Sequence, residues 1–244
     1  MVYAIGFLIA LLIGFTGVGG GTITVPVLIL FLHLDPVKAI GTALAFTAIV
    51  KMLAAPVYLW RRQVHFRTFA RMAMGGLPGL LVGMYFLKLS AQGGWVTAAI
   101  GPLIMITALT TVWKTLRGSG TRQMTDRSYW LPWIMAPIGA EVGFSSAGAG
   151  AIGSIALFNL TQLSPAEVVG TDILFGLTLS FVGGGIQMSG GRYSPETLLP
   201  LAIGGVFGAL IGPNLIRWLP PKPVRVGMCL WLASLGGMLL WKSL

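Results

Sequence analysis

Three charged residues sit inside stretches that are otherwise almost wholly apolar. Lys51 lies within residues 37–60, Glu141 within 130–145 and Asp172 within 166–188. A charge near the centre of a bilayer costs about 2.5–3.5 kcal/mol or more, so such a side chain faces a cavity or a partner. An ammonium placed there attracts an anion, and a carboxyl held away from water can take up and release a proton. Two glycine-rich stretches lie nearby in the chain. The first reads Gly14-Phe15-Thr16-Gly17-Val18-Gly19-Gly20-Gly21-Thr22-Ile23 and the second Gly143-Phe144-Ser145-Ser146-Ala147-Gly148-Ala149-Gly150-Ala151-Ile152. Each leads into the expected start of a helix, near Thr22 and near Ala151. The free N–H groups and positive dipole end of a helix start favour an anion, and glycine lets the backbone approach it closely. Thr16, Gly19, Gly20, Gly21 and Thr22, with Ser145, Ser146, Gly148 and Gly150, are therefore candidate binding residues, and Thr24 and Ser154 can add hydroxyls. The plainer alternative is that these glycines only let helices pack closely, as small residues do in membranes.

The elements that position these residues are membrane helices. The chain has 244 residues, of which 55% are apolar and only 9% charged. Its mean hydropathy is +0.86. A soluble domain carries about 25% charged residues, so this chain cannot cover a normal water-facing surface. An ordinary soluble enzyme is excluded, and so is disorder. The net charge of +10 does not point to nucleic acid, because the basic residues cluster in short gaps between apolar runs. Arg61, Arg62, Arg67 and Arg71 form one cluster, Lys114, Arg117, Arg122 and Arg127 a second, and Arg217, Lys222 and Arg225 a third. That is the pattern of cytoplasmic loops under the positive-inside rule. One cysteine, Cys229, allows no internal disulfide. The first residues carry no basic segment, so the first apolar run is expected to stay in the mature protein.

Ten apolar runs follow, at about 2–16, 22–34, 37–60, 68–87, 95–115, 130–145, 151–163, 166–188, 197–216 and 224–241. The first two of each group of five are short, and a glycine-rich stretch joins each short pair. The two groups match at one offset of 129 residues. The glycine stretches align, Leu34-Asp35-Pro36 aligns with Leu163-Ser164-Pro165, and Gly41-Thr42 with Gly170-Thr171. Phe46 aligns with Phe175, and Gly75, Gly76, Gly79 and Gly83 with Gly204, Gly205, Gly208 and Gly212. A constant register over this length marks a duplicated unit, which is a transporter design. The expected organisation is one transmembrane domain over 1–244, with a first repeat at 1–115, a basic cytoplasmic linker at 116–129 and a second repeat at 130–244.

Charge sets the orientation. With the Arg61–Arg71 loop inside, span counting places the basic linker inside as well. The loop at Arg192 then falls outside and the Arg217–Arg225 loop inside, so equivalent loops change sides and the repeats are inverted. Both termini are expected outside. Under inversion, matched positions mirror each other across the midplane, which places Lys51 about three residues (~4.5 Å) and Asp172 about five (~7.5 Å) to the same side of it. The two can therefore pair, either as a purely structural ion pair or as part of the transport site. Asn159 and Gln162 are further polar candidates for lining the site or bonding across helices, and His33 and His65 read as solvated loop residues.

Gly-Phe-Thr-Gly-Val-Gly-Gly-Gly at 14–21, then Pro26, then Pro36-Val37-Lys38-Ala39-Ile40-Gly41-Thr42 resembles the opening of the TauE/SafE-type sulfite exporter family. Gly148-Ala149-Gly150 with Pro165-Ala166-Glu167-Val168-Val169-Gly170-Thr171-Asp172 resembles that family's second repeat. The resemblance covers nearly the whole chain. It implies a multi-pass carrier of the bacterial inner membrane that moves sulfur-containing anions such as sulfite or organosulfonates, generally outward. The second stretch departs from a full glycine run at Ser145-Ser146 and Ala149, so the two halves of the site are expected to be unequal.

The expectation is thus an all-α polytopic bundle of two inverted repeats acting as a secondary transporter. Lys51 would attract the anion, Asp172 and Glu141 would couple protons, and one repeat would move against the other. Its partners would be a small sulfur-containing anion and the lipid bilayer, with a homo-oligomer allowed and no nucleic acid. A passive anion channel and a subunit of a larger complex are the competing classes. No cofactor motif and no metal-ligand cluster is evident, so neither a cofactor nor an enzymatic role is expected.

Overall fold

Two helices of the chain begin at a proline behind a polar cap, in matched places. Asp35 accepts hydrogen bonds from the N–H groups of Val37 (3.0 Å) and Lys38 (3.3 Å) and opens α3 (Pro36–Trp60). Ser164, 129 residues later, opens α8 (Pro165–Ser189) through a capping box with Glu167. Both devices satisfy N–H groups that a helix start leaves orphaned, and proline at the first position loses nothing there. In this computed structural model the described residues are 1–16, 20–90, 96–117, 127–147, 150–215 and 234–238. They contain, besides α3 and α8, α1 (Val2–Thr16), α2 (Gly20–Leu30), α4 (Phe66–Ser90), α5 (Val96–Arg117), α6 (Leu131–Ser145), α7 (Ala151–Leu160) and α9 (Pro195–Leu215). A 3-10 turn at Ser128–Trp130 precedes α6, and no strand occurs among the described residues. The helices follow the apolar runs closely. Most of the tenth run and most of the basic linker lie outside the described residues.

Pro36–Trp60, Phe66–Ser90 and Pro165–Ser189 are each long and apolar enough to cross a membrane. α1, α2, α6 and α7 have 15, 11, 15 and 10 residues. At ~1.5 Å per residue these reach only ~15–23 Å, against ~30 Å of hydrocarbon. The outward faces are apolar. Leu81, Val82, Tyr85 and Phe86 on α4, Phe181 on α8 and Phe207, Leu210 and Ile211 on α9 are all exposed. Polar residues such as Thr42, Thr47, Lys51, Thr171, Asp172 and Ser180 are buried. Apolar outside and polar within is the arrangement expected when lipid is the solvent. Trp60, Tyr129 and Trp130 are exposed near helix ends, where aromatic rings favour the interface.

The packing recurs at the 129-residue offset. Gly75 and Gly79 of α4 press against the carbonyl oxygens of Pro132 and Ala136 on α6, so closely that a β-carbon on either glycine would overlap them. Gly204 and Gly208 of α9 press in the same way against Tyr3 and Phe7 of α1. The Phe175 ring covers Gly76, and the Phe46 ring covers Gly205. The Thr42 hydroxyl accepts from the Ser194 N–H at 3.0 Å, and the Thr171 hydroxyl accepts from the His65 N–H at 3.0 Å. Each of these contacts therefore has its counterpart with the halves exchanged. α3 and α8 run antiparallel through the middle of the bundle, with Gly41 near Gln187, Gly184 near Ala45 and Gly176 near Lys51. His65 is more than a loop residue. Its ring Nδ1 lies 2.8 Å from the Thr68 hydroxyl and accepts from the Thr68 N–H, so it braces the start of α4.

Candidate functional site

The first glycine stretch ends where α2 begins. Gly20 lies against the Thr47 hydroxyl of α3, and Gly21 against the carbonyl and hydroxyl oxygens of Ser146. Any side chain at either glycine would separate these groups, which is the physical reason for glycine there. Ser146 ends α6 in the left-handed conformation (φ 60°) and turns the chain toward α7, donating its N–H to the Val142 carbonyl at 2.8 Å. The two stretches, 129 residues apart in sequence, thus meet at the Gly21–Ser146 contact.

Among the described residues, three buried hydroxyls here have no hydrogen-bond partner, namely Thr22 Oγ1, Thr47 Oγ1 and Ser146 Oγ, and the last two lie against Gly20 and Gly21. Their residues are 1%, 3% and 5% exposed. A buried hydroxyl without a partner costs about 1–3 kcal/mol, so three together require an explanation. Thr22 and the two glycines that Thr47 and Ser146 face belong to the first described turn of α2. Thr24 and Ser145 do not share this state. The Thr24 hydroxyl donates to the Gly20 carbonyl at 2.7 Å. The Ser145 hydroxyl donates to the Glu141 carbonyl at 2.9 Å and accepts from the Ala147 N–H at 3.2 Å, so it serves its own turn.

Lys51 lies one helical turn beyond Thr47 on α3 and is buried. Its Nζ occupies the space beside Gly176 where a side chain would otherwise stand. Asp172 is one turn from Gly176 on α8 and is also buried. Asp172 Oδ1 fills the space beside Gly153 in the first turn of α7. The Ser154 hydroxyl lies 3.1 Å from Asp172 Oδ2 and 2.5 Å from the Gly150 carbonyl oxygen. Gly150 (φ 118°) holds a backbone conformation that L side chains rarely adopt at the head of α7.

The candidates named from sequence do not all lie together. Gly20, Gly21, Thr22 and Ser146 form the junction, and Lys51, Asp172 and Gly150 form a second centre beside it. Glu141 is on α6, partly exposed, one turn before Ser145. Gly19 and Gly148 lie outside the described residues, as does the side chain of Thr16. Asn159 and Gln162 are exposed around the end of α7, away from the buried junction. Thr47 was not anticipated, because a threonine in an apolar run carries no signal by itself. Its position one turn before Lys51, facing a glycine of the opposite element, is what marks it. Gln187 is also more buried than its place near a run end suggests, at 1% exposure. Among the described residues no three metal-ligating side chains cluster.

Apolar helices interrupted within the bundle around buried hydroxyls, with a buried lysine and aspartate beside them, are the features of a helical membrane transporter. The comparisons agree and narrow the class. Residues 2–239 match the family described as "Sulfite exporter TauE/SafE", and the chain belongs to that family. It is 25% identical over 238 residues to the "Probable membrane transporter protein YjnA" of Bacillus subtilis (strain 168), covering 90% of this chain and 91% of that one. It is 26% identical over 249 residues to the "Probable membrane transporter protein YdhB" of the same organism, covering 99% and 100%. No solved structure matches. The family is one of membrane transporters and not an enzyme class.

Proposed function

We propose that this transporter is a proton-coupled secondary carrier that exports a small sulfur-containing anion, such as sulfite or an organosulfonate. The observation that carries the reading is the set of buried, unpartnered hydroxyls of Thr22, Thr47 and Ser146, two of them set against the first residues of α2. Hydroxyl O–H groups and helix-start N–H groups are all donors, and a small oxyanion is the ligand that accepts from all of them. Lys51, one turn away, supplies the positive charge that draws an anion into an apolar bundle. Asp172 and Glu141 are the acids through which a proton would be exchanged.

The bundle is read as two inverted repeats, 1–115 and 130–244, in a bacterial-type inner membrane with both termini outside. The recurrence of packing contacts at the 129-residue offset supports the repeat, and the basic clusters support the orientation. The partners in this reading are the anion and the lipid bilayer, with no nucleic acid.

Flux of sulfite into proteoliposomes containing the purified chain, with and without a pH gradient, tests the proposal. Uphill accumulation driven by the gradient is the expected result. Sulfite flux that only dissipates its own gradient would identify a passive channel instead. No flux of sulfite or of methanesulfonate would favour a subunit that works only within a larger complex.

A further inference from the structure

The two halves of the junction are built differently, and the differences fall at matched positions. In the second half an acid of the protein stands beside the first turn of α7, because Asp172 reaches Gly153 and Ser154. The matched position in the first half is Ala43, fully buried and without charge, and the residue matched to Gly153 is Thr24. The start of α2 therefore receives no carboxylate from α3. A second difference reinforces the first. Gly176 of α8 leaves a space that the Lys51 ammonium fills, whereas the matched residue of α3 is Thr47, whose hydroxyl faces Gly20 and has no partner.

A negative charge beside a helix start is favourable, and one already in place repels a second. We infer that, while Asp172 is ionised, the start of α2 alone is the seat of the transported oxyanion, that Thr47 is a substrate-binding residue of that seat, and that the Asp172 carboxylate is the anion that closes the start of α7 to substrate. The inference rests on the anion-transporter reading above and sharpens it to one anion per chain on the first-half side. Thr22, Thr47 and Ser146 each bring one hydroxyl donor, and the three pyramidally arranged oxygens of a sulfite or sulfonate group can accept them.

Calorimetric titration of the purified full chain with sulfite tests this. The wild type is expected to bind one sulfite per chain. Thr47→Val keeps the shape, removes the hydroxyl and is expected to weaken binding about tenfold or more, because a hydrogen bond to a charged group is lost. Thr47→Ser restores the hydroxyl and is expected to bind within about threefold of wild type. Thr178→Val, whose hydroxyl serves the Leu174 carbonyl on α8, is expected to change nothing and controls for hydroxyl loss in general. Thr22→Val gives a second reading of the same seat if Thr47→Val fails to fold. Two equivalent sulfites per chain, or wild-type binding by Thr47→Val and Thr22→Val, would overturn the inference while leaving the transporter reading intact. Absence of binding and flux of both sulfite and methanesulfonate in the wild type would remove the transporter reading itself, and this inference with it.

Discussion

At the scale of single residues, the proposed function rests on the buried charges. Lys51 and Asp172 are each less than a tenth exposed, and neither has a charged match in the other half, where Ser180 and Ala43 stand. A transporter that needs both should lose flux completely in Lys51→Ala and in Asp172→Asn while the protein still reaches the membrane. Proteoliposome uptake normalised to protein content checks this, and wild-type flux in either variant would remove that residue from the site. Both charges were legible in sequence because a charge within an apolar run has few explanations. The hydroxyls were only half legible. Thr22 and Ser146 stood out through the glycines beside them, but Ser145 looked equivalent to Ser146, and which of the two turns inward depends on the left-handed backbone of Ser146. Thr47 had no marker at all, since its role comes from a helix that approaches it from elsewhere in the chain.

At the scale of elements, close helix packing carries the architecture. Gly79 touches the backbone of Ala136, so Gly79→Leu must push α4 and α6 apart. Overpacking of a tight interface costs about 1–3 kcal/mol, and backbone cannot yield as a side chain end can. Gly79→Leu and its counterpart Gly208→Leu should therefore both lower the melting temperature in detergent or prevent recovery of folded protein. Gly185 on α8 has nothing within 4 Å of its would-be β-carbon. Gly185→Ala should leave folding unharmed and can add up to ~1 kcal/mol through helix propensity. Loss of a helix cap is the milder case. Asp35→Ala and Ser164→Ala should each cost about 1 kcal/mol, read as a small decrease in thermal stability with transport retained. Helix existence and limits were readable from apolar runs and caps, since both are local. Which helix packs on which was not, because glycines on α4 name no partner until the facing carbonyls are seen.

At the scale of the whole molecule, the repeat and its orientation can be tested together. Arg61 and Gly190 occupy matched, exposed positions at the ends of α3 and α8. With Cys229→Ser removing the native thiol, Arg61→Cys and Gly190→Cys should react with a membrane-impermeant maleimide from opposite sides, Arg61→Cys from inside. Labelling of both from one side would exclude the inverted arrangement. The proposed duplication rests on one constant offset in sequence, and the paired bonds of Thr42 with Ser194 and Thr171 with His65 recur at the same offset.

The same interlocking bears on how the molecule can move. α1 is joined to α9 and α4 to α6 by glycine contacts at backbone distance, so the tightest seams of the bundle run between the two halves of the gene product and not within them. Rocking one repeat as a block against the other would have to tear both seams open in every cycle. In the proposed transport cycle the units that stay packed would then be hybrids, one pairing α1 with α9 and the other α4 with α6, with the antiparallel α3 and α8 between them. Covalent linkage across either seam should be tolerated during transport, whereas linkage of one hybrid unit to the other should arrest it. A protein duplicated in sequence would then work as two machines, each assembled from both copies.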